Sequence, residues 1–443
     1  MMRSITREDF QAETARLAGE FAGQMWNELV ETGADRGADE WMRHHGGQLL
    51  RDLLGQALTA RGERIGISGS CETCGGTVAF RERRAVTVHT ILAGRDVLLR
   101  TPYGQCVNCR GGSWPLYKEM GVDAEGFTPA LRELSTLAGV MEPYESASEE
   151  LLGRFAGVAV SREKIVSLVR SAGEEAVEFL KEEPPDATSP PPKEETGRPL
   201  YVGIDGGMIF VDRRWQEAKV CCIFREEDGT ELGAKRAMLA ARQVVAVRGG
   251  PGDLGARIWP CAIRAGVGAG AREVVVLGDG APWIWNLAAE HFPNRVEILD
   301  WYHAHEHVSD VARTLYGDGS EKAEEWREAQ LERLRQDRVD DVIEGLQFLA
   351  VRQRSQAKRR TVENLRGYLL RNRSRVFYKT YRDRGLRIGS GAVESAVSHV
   401  VQHRMKRLGM RWKNKGADAM LALRSIYRST GAWSRFSNRF ATA

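Results

Sequence analysis

Six of the chain's 14 prolines fall between Pro184 and Pro199, in the run EEPPDATSPPPKEETGRP. Proline has no backbone N–H to give to a helix or a ladder, and here it is mixed with charge and almost no aliphatic side chains. Such a segment reads as an extended linker, so no single hydrophobic core spans this chain. At roughly 150 residues per domain, 443 residues suggest about three domains, and 42% hydrophobic residues supply ample core. No stretch approaches the ~18–20 uninterrupted apolar residues of a membrane span, and MMRSITREDF lacks the apolar centre of a signal peptide. With seven cysteines and no export signal, a reducing compartment is expected, which excludes a secreted, disulfide-stapled or membrane protein.

Before the linker the texture changes twice. Residues 1–65 read as helical, with Trp41, Leu49, Leu50, Leu53, Leu54 and Leu58 at three- and four-residue steps. Residues 66–118 carry β-branched runs (VTVHTILAG, DVLLRTPY) between Cys71-Glu-Thr-Cys74-Gly-Gly and Cys106-Val-Asn-Cys109-Arg-Gly-Gly. Each CxxC wraps two thiolates around one metal, and two such knuckles on β arms make a four-thiolate zinc ribbon. The spacing between the knuckles is long, so the arms must be extended. Cys221, Cys222 and Cys261 sit in apolar contexts and are expected in the core. Residues 119–183 turn helical again, with Pro129 in a first turn and Ser161 as an N-cap. A helix-turn-helix and an ordinary helical bundle both fit this stretch.

Beyond the linker, LYVGID, KVCCIF and ELGAKRAMLAA read as three successive strands. A helix near 253–267, the strand EVVVLGD, a short helix around Trp283–His291 and the strand RVEILDWYH follow. Three strands and then alternating helix and strand predict a mixed sheet of ribonuclease-H-like topology over 200–303. Residues 304–385 are charge-rich and helical and read as an insertion, with 386–443 completing the core. Asp205 and Asp279 each end an apolar strand, where a carboxylate is costly unless a cation or donor satisfies it. Two acids so placed predict a shared Mg²⁺. Glu394 lies in the first turn of a helix begun by Ser390-Gly391, within a segment that has few other acids; Glu363 is the fallback. His303, His305 and His307 cluster, and Asp300 with His303 and His307 is a second conceivable metal set.

The charge is divided as well. Residues 352–443 hold 23 Lys+Arg against four acids, a net of +19, which leaves −15 on the rest of the chain. A polarity this strong predicts a polyanionic partner. Arg404, Lys406, Arg407, Arg411, Lys413 and Lys415 are the expected phosphate contacts, and Trp412 among them is expected to stack against a base.

Together, the CxxC pairs, GIDGG, GDGAPWIW, Asp300-Trp-Tyr-His303 and GSGAVES running into RMKRLGMRW resemble the DDE transposases of bacterial insertion sequences, specifically the ISKra-type group and more distantly the Mutator-like enzymes. The resemblance covers most of the chain and is weakest over residues 1–65. It implies that Asp205, Asp279 and Glu394 are a catalytic triad holding two Mg²⁺, with His303 accompanying the site and one structural Zn²⁺ in the ribbon. The implied partners are DNA, as terminal inverted repeats and target, and further copies of the chain in a synaptic dimer or larger assembly, in the bacterial cytoplasm at the nucleoid. Two other readings remain open: a non-catalytic DNA-binding regulator and a stand-alone metal-dependent nuclease.

Overall fold

Alternating apolar and polar residues between the cysteine pairs form a long antiparallel hairpin, β1 (Val78–Val88) against β2 (Val97–Cys106), in the computed structural model. The structure describes residues 5–31, 37–65, 67, 69–91, 96–182, 199–226, 229–233, 236–239, 241–265, 267, 273–407 and 409–442. The arms are as extended as the knuckle spacing requires: Val78 pairs with Cys106 at one end and Val88 with Val97 at the other. A short strand, β3 (Gly112–Ser113), folds back onto Gly104 and Gln105. The end away from the cysteines is the apolar one. There Val88, Val97, Leu99, Leu116, Tyr117 and Val122 are buried, and Leu54 and Leu58 of helix Gly47–Arg64 cover them. Trp41 is buried too, whereas Leu50 is exposed, so only part of the predicted stripe faces inward.

The helical stretch that follows has the expected caps. Pro129 opens helix Pro129–Met141, whose cap Thr128 accepts from the Leu131 N–H, and the Lys164 N–H donates to Ser161 Oγ ahead of helix Arg162–Phe179. The chain divides into two units, Met1–Ser171 with Ser434–Ala443, and Ala172–Trp433. Of the proline-rich segment 184–199, all but Pro199 lies outside the described residues.

The second unit is built on a five-stranded sheet. Its strands are β4 (Leu200–Val211), β5 (Arg214–Arg225), β8 (Gln243–Arg248), β9 (Val274–Gly278) and β10 (Arg295–Leu299), in the order β10-β9-β4-β5-β8. β4, β5 and β8 run antiparallel in sequence, while β9 and β10 lie parallel to β4. The third sheet strand corrects the sequence reading. ELGAKRAMLAA yields a separate two-stranded ribbon, β6 (Gly229–Gly233) and β7 (Arg236–Leu239), and the sheet is completed by QVVAVR instead. Val244 to Val247 are fully buried, and burial is what selects a sheet strand. Cys221, Cys222 and Cys261 are buried, as expected of core thiols. From Trp301 to Asp383 the described elements are helical, which matches the predicted helical block. No helix among the described residues is long and apolar enough to cross a membrane.

One close approach sets the geometry of the site. Gly203 and Gly207 lie on one face of β4 with Asp205 between them, because side chains alternate along a strand. A Cβ at Gly203 would meet Val393 Cβ at 2.8 Å, and one at Gly207 would meet Val397 Cγ1 at 3.1 Å and Val401 Cγ1 at 3.2 Å. Helix Gly391–Val397, continued by the π-helical turn Ser398–Gln402, therefore lies directly on β4. Gly203→Ala should overpack this contact, cost about 1–3 kcal/mol and lift Glu394 away from Asp205. Thermal melting would show the loss, and an unchanged melting temperature would mean the helix is not seated as tightly as its contacts imply.

Candidate functional site

Strand register places the acids. Ile204 on β4 pairs with Gly278 on β9, and Gly278 pairs with Leu299 on β10. The next residue in each case is an aspartate: Asp279 and Asp300 follow the ends of β9 and β10, whereas Asp205, expected to end its strand, lies in the middle of β4, where the parallel pairing with β9 stops and pairing with β5 carries on to Val211. Neighbouring strands lie ~4.8 Å apart, and the carboxyl edge of such a sheet is where open α/β folds bind ligands.

Each aspartate is held differently. Asp205 accepts from the Gly206 N–H at 2.6 Å. Burial raises its pKa above the ordinary carboxyl range, the Gly206 hydrogen bond and His303 partly offset this, and the charges of Asp279 and Glu394 add to the rise. A carboxylate raised by burial and by like charges is one that a cation would stabilise. Asp279 accepts from the Ala281 N–H at 2.8 Å as the chain turns into helix Pro282–His291, and its carbonyl accepts from the Tyr368 hydroxyl at 2.8 Å. Asp300 is fully buried, and protein donors occupy both its oxygens. The His303 N–H (3.0 Å) and Nδ1 (2.8 Å) reach Oδ2, and the Ser390 N–H (2.7 Å) reaches Oδ1. One buried carboxylate thus ties the end of β10 to His303 and to the start of the helix that carries Glu394. Ser390 Oγ in turn donates to Glu394 Oε1 at 2.8 Å.

Among the described residues, the set here whose ligand atoms all lie within 4.8 Å of one another is Asp300, His303 and Glu394. Asp205 and Asp279 are electrostatic neighbours of this set and lie outside it. The expected trio Asp205, Asp279 and Glu394 therefore shares one neighbourhood without meeting that spacing by itself. Glu363 is exposed on helix Gln356–Arg371 and is not among the charges that Asp205 senses. His307 packs against Tyr368, with ring centroids 4.2 Å apart, and stands apart from the set.

The Asp300 hydrogen bond, opposed by burial and reinforced by the charges of Asp300, Asp205 and Asp279, pushes His303 up to about 9. A raised histidine stabilises the fold fully below its unfolded pKa of ~6.5, and that stability is lost as pH climbs through about 9. In magnesium-free buffer the His303 ring should titrate near that upper value by NMR, and Asp300→Asn should bring it back toward ~6.5. A His303 titration unmoved by Asp300→Asn would remove Asp300 as its cause.

Four sulfurs make a second cluster. Cys71, Cys74, Cys106 and Cys109 have their Sγ atoms within 4.8 Å of one another, with Cys71 and Cys109 at 3.5 Å and Cys74 and Cys106 at 3.5 Å. The two knuckles repeat one backbone shape: the Cys71 N–H donates to the Gly76 carbonyl at 2.7 Å and the Cys106 N–H to the Gly111 carbonyl at 2.9 Å. Gly75 (φ 71°) and Arg110 (φ 64°) occupy the matching left-handed positions. Backbone hydrogen bonds from Thr73 and Cys74 pull Cys71 down to about 6, and one from Cys109 lowers Cys106. Cys109 accepts from Gly111 but is pushed up to about 12 by the neighbouring thiols. Thiols crowded this closely, with thiolate already favoured at Cys71 and Cys106, could hold one metal ion.

Residues 119–438 match the uncharacterised protein family UPF0236. The chain belongs to that family. The match contains Asp205, Asp279, Asp300, His303 and Glu394, whereas the four clustered cysteines precede it. No curated protein matches the chain. Within the UPF0236 region the structure corrects two expected DNA contacts. Arg404 and Trp412 are buried, at 1% and 8% exposure. The guanidinium lies 5.3 Å from the indole ring, and the indole N–H donates to the Met405 carbonyl at 3.0 Å. A ring so engaged is not open to a base. Lys406, Arg407, Arg411, Lys413 and Lys415 are exposed. The sequence reading gave Asp300 no settled role and missed Tyr368 entirely. For Asp300 the signal was present, since LD ends a third apolar strand in the manner of Asp205 and Asp279.

Proposed function

We propose that this protein is a DDE-type DNA transposase that cuts DNA at the ends of its element and joins the freed strand to target DNA. The observation that carries the reading is the row of Asp205, Asp279 and Asp300 where the parallel pairing of β4, β9 and β10 ends, with the helix of Glu394 laid across β4. The sheet supports a ribonuclease-H-like core: three antiparallel strands in sequence, then two strands parallel to the first on its other side. A helical block between β10 and Glu394 fits the insertion expected there.

In this reading Asp205, Asp279 and Glu394, which share one neighbourhood with the closely grouped Asp300 and His303, would hold divalent cations of the Mg²⁺ class. The cation supplies charge neutralisation for a phosphodiester undergoing in-line displacement. The chain's own part is positional. Asp300 fixes the His303 ring through Nδ1 and anchors the Glu394 helix through the Ser390 N–H, and both are available before substrate arrives. Protonated His303 balances the carboxylates and leaves Nε2 to donate to a phosphate oxygen. No side chain is needed as a nucleophile. The four thiols of the hairpin would hold Zn²⁺ as a structural ion and, with the helices after them, would read the terminal repeats. Strand transfer separates this reading from its rivals. Purified protein with DNA from the borders of its own gene and Mg²⁺ should yield cut ends and joined products. Cutting without joining would indicate a nuclease, and binding without cutting a regulator.

A further inference from the structure

The buried Trp412 has another consequence. It fastens the basic 406–415 segment to the tip of the β4–β5 hairpin: the Trp412 N–H donates to the Phe210 carbonyl at 3.1 Å, and the Asp212 N–H donates to the Trp412 carbonyl at 3.0 Å. The tip itself is a two-residue turn, Asp212-Arg213, between the paired residues Val211 and Arg214. Both turn residues are left-handed, at φ 46° and 64°. This turn shape favours Asn-Gly and Asp-Gly, so Asp212 suits the first position and Arg213, where glycine would be favoured, costs about 1–2 kcal/mol. An arginine kept at a strained tip points to a use for its side chain.

Its surroundings indicate the use. Arg213, Arg214, Lys406, Arg411, Lys413 and Lys415 are exposed on these two joined segments. The acids nearby are engaged: Asp212 lies 3.6 Å from Lys413 Nζ, Glu217 pairs with Lys219, and Asp418 pairs with Arg248 at 2.8 Å. In their midst Trp215 is 55% exposed, with its ring 5.8 Å from Lys406 Nζ and edge-on to Phe210. Exposed cations around an exposed indole are the chemistry that holds a nucleic-acid strand, with phosphates on the cations and a base on the ring. Asp205 and Val211 lie on one strand six residues apart, about 20 Å at ~3.3 Å per residue. At ~3.4 Å per nucleotide step, the tip meets DNA about six nucleotides from the acidic row.

We infer that the hairpin tip and the 406–415 segment form a DNA clamp in which Trp215 stacks on an unpaired base about six nucleotides from the reacting phosphodiester. This rests on the transposase reading and adds to it a surface and a strand state. Duplex alone would engage the cations, and the indole needs a base free of its partner.

The test uses the full chain and two fluorescent probes, a blunt element-end duplex and the same duplex with a short unpaired extension. Wild type should bind the extended probe more tightly. Trp215→Ala should weaken binding to the extended probe roughly tenfold and leave the blunt duplex unchanged. Arg213→Gly relaxes the turn, so it should raise thermal stability while weakening both probes. It should also flatten the slope of log affinity against log salt by ~0.9 for each phosphate it ceases to neutralise. Equal binding of both probes by Trp215→Ala and wild type would overturn the clamp, as would an Arg213→Gly variant that binds as wild type does. Wild-type protein that binds neither probe would instead overturn the transposase reading on which the clamp rests.

Discussion

Asp205→Asn should abolish DNA cleavage and strand transfer, to below about one-hundredth of wild type, while the protein stays folded and still binds element ends. The expectation follows from the position of Asp205 on the central strand, between β9 and β5, where burial and the charges of Asp279 and Glu394 raise its carboxyl. Removing one negative charge relieves that repulsion, so the variant should be at least as stable as wild type without metal. Stability unchanged or raised, with activity gone, separates a cation-binding carboxylate from a structural one. Asp279→Asn and Glu394→Gln should behave alike. Asp300→Asn should differ: its carboxylate accepts three protein hydrogen bonds in a fully buried position, so this variant should lose stability as well as activity. Paired cleavage and thermal-melting measurements on the four variants check the scheme. Full activity in Asp205→Asn would end the transposase reading, and a stable, active Asp300→Asn would remove its anchoring role.

The contrast between these acids also indicates what the sequence could disclose. Asp205 and Asp279 were legible because a charged residue after an apolar run violates the local pattern, and parallel pairing with matched register brings them side by side, although β4 runs on beyond Asp205 to Val211. Asp300 obeys the same rule, but as the N-cap of helix Trp301–Tyr316 it also has an ordinary local explanation, which masks its reach to Ser390. Glu394 was singled out by the scarcity of other acids around it and by the family resemblance, and what seats its helix is the pair of glycines far upstream on β4. Tertiary burial was the blind spot elsewhere. The run RMKRLGMRW looks uniformly exposed by composition, yet Arg404 and Trp412 turn inward together, because a guanidinium stacked on an indole can be buried at lower cost than either alone. The missed strand β8 failed for a related reason: QVVAVR is short and flanked by arginines, and only its fully buried neighbours identify it as part of the sheet.

Removing metal from the cysteine cluster should unzip one end of the long hairpin and spare the other. Structural zinc in small domains contributes apparent binding free energy of about 10–16 kcal/mol, and at the cysteine end little else holds the strands. Phe80 is 55% exposed there, and among the described residues the apolar cover is slight, with Val78 (8% exposed) and Ile67 beside Gly104. Four sulfurs within 4.8 Å, some already favouring thiolate, repel once the cation is gone. Val88, Val97 and Leu99 at the far end are packed with Leu116, Tyr117 and Val122 beneath helix Gly47–Arg64, and that core does not depend on a ligand. From Cys106 to Val97 the strand covers nine residues, about 30 Å at ~3.4 Å each, so the two ends are held independently. Chelation, or Cys106→Ser, should therefore erase amide hydrogen-exchange protection from Val78 to Glu82 and from Tyr103 to Cys106. Protection should persist at Val86, Val88, Val97 and Leu99. Cys106→Ser should do this more completely than Cys74→Ser, since Cys106 is buried and Cys74 exposed. Loss of protection along the whole hairpin would mean that the metal, and not the apolar end, nucleates the fold; no loss at either end would mean that the four cysteines hold no metal that matters to it.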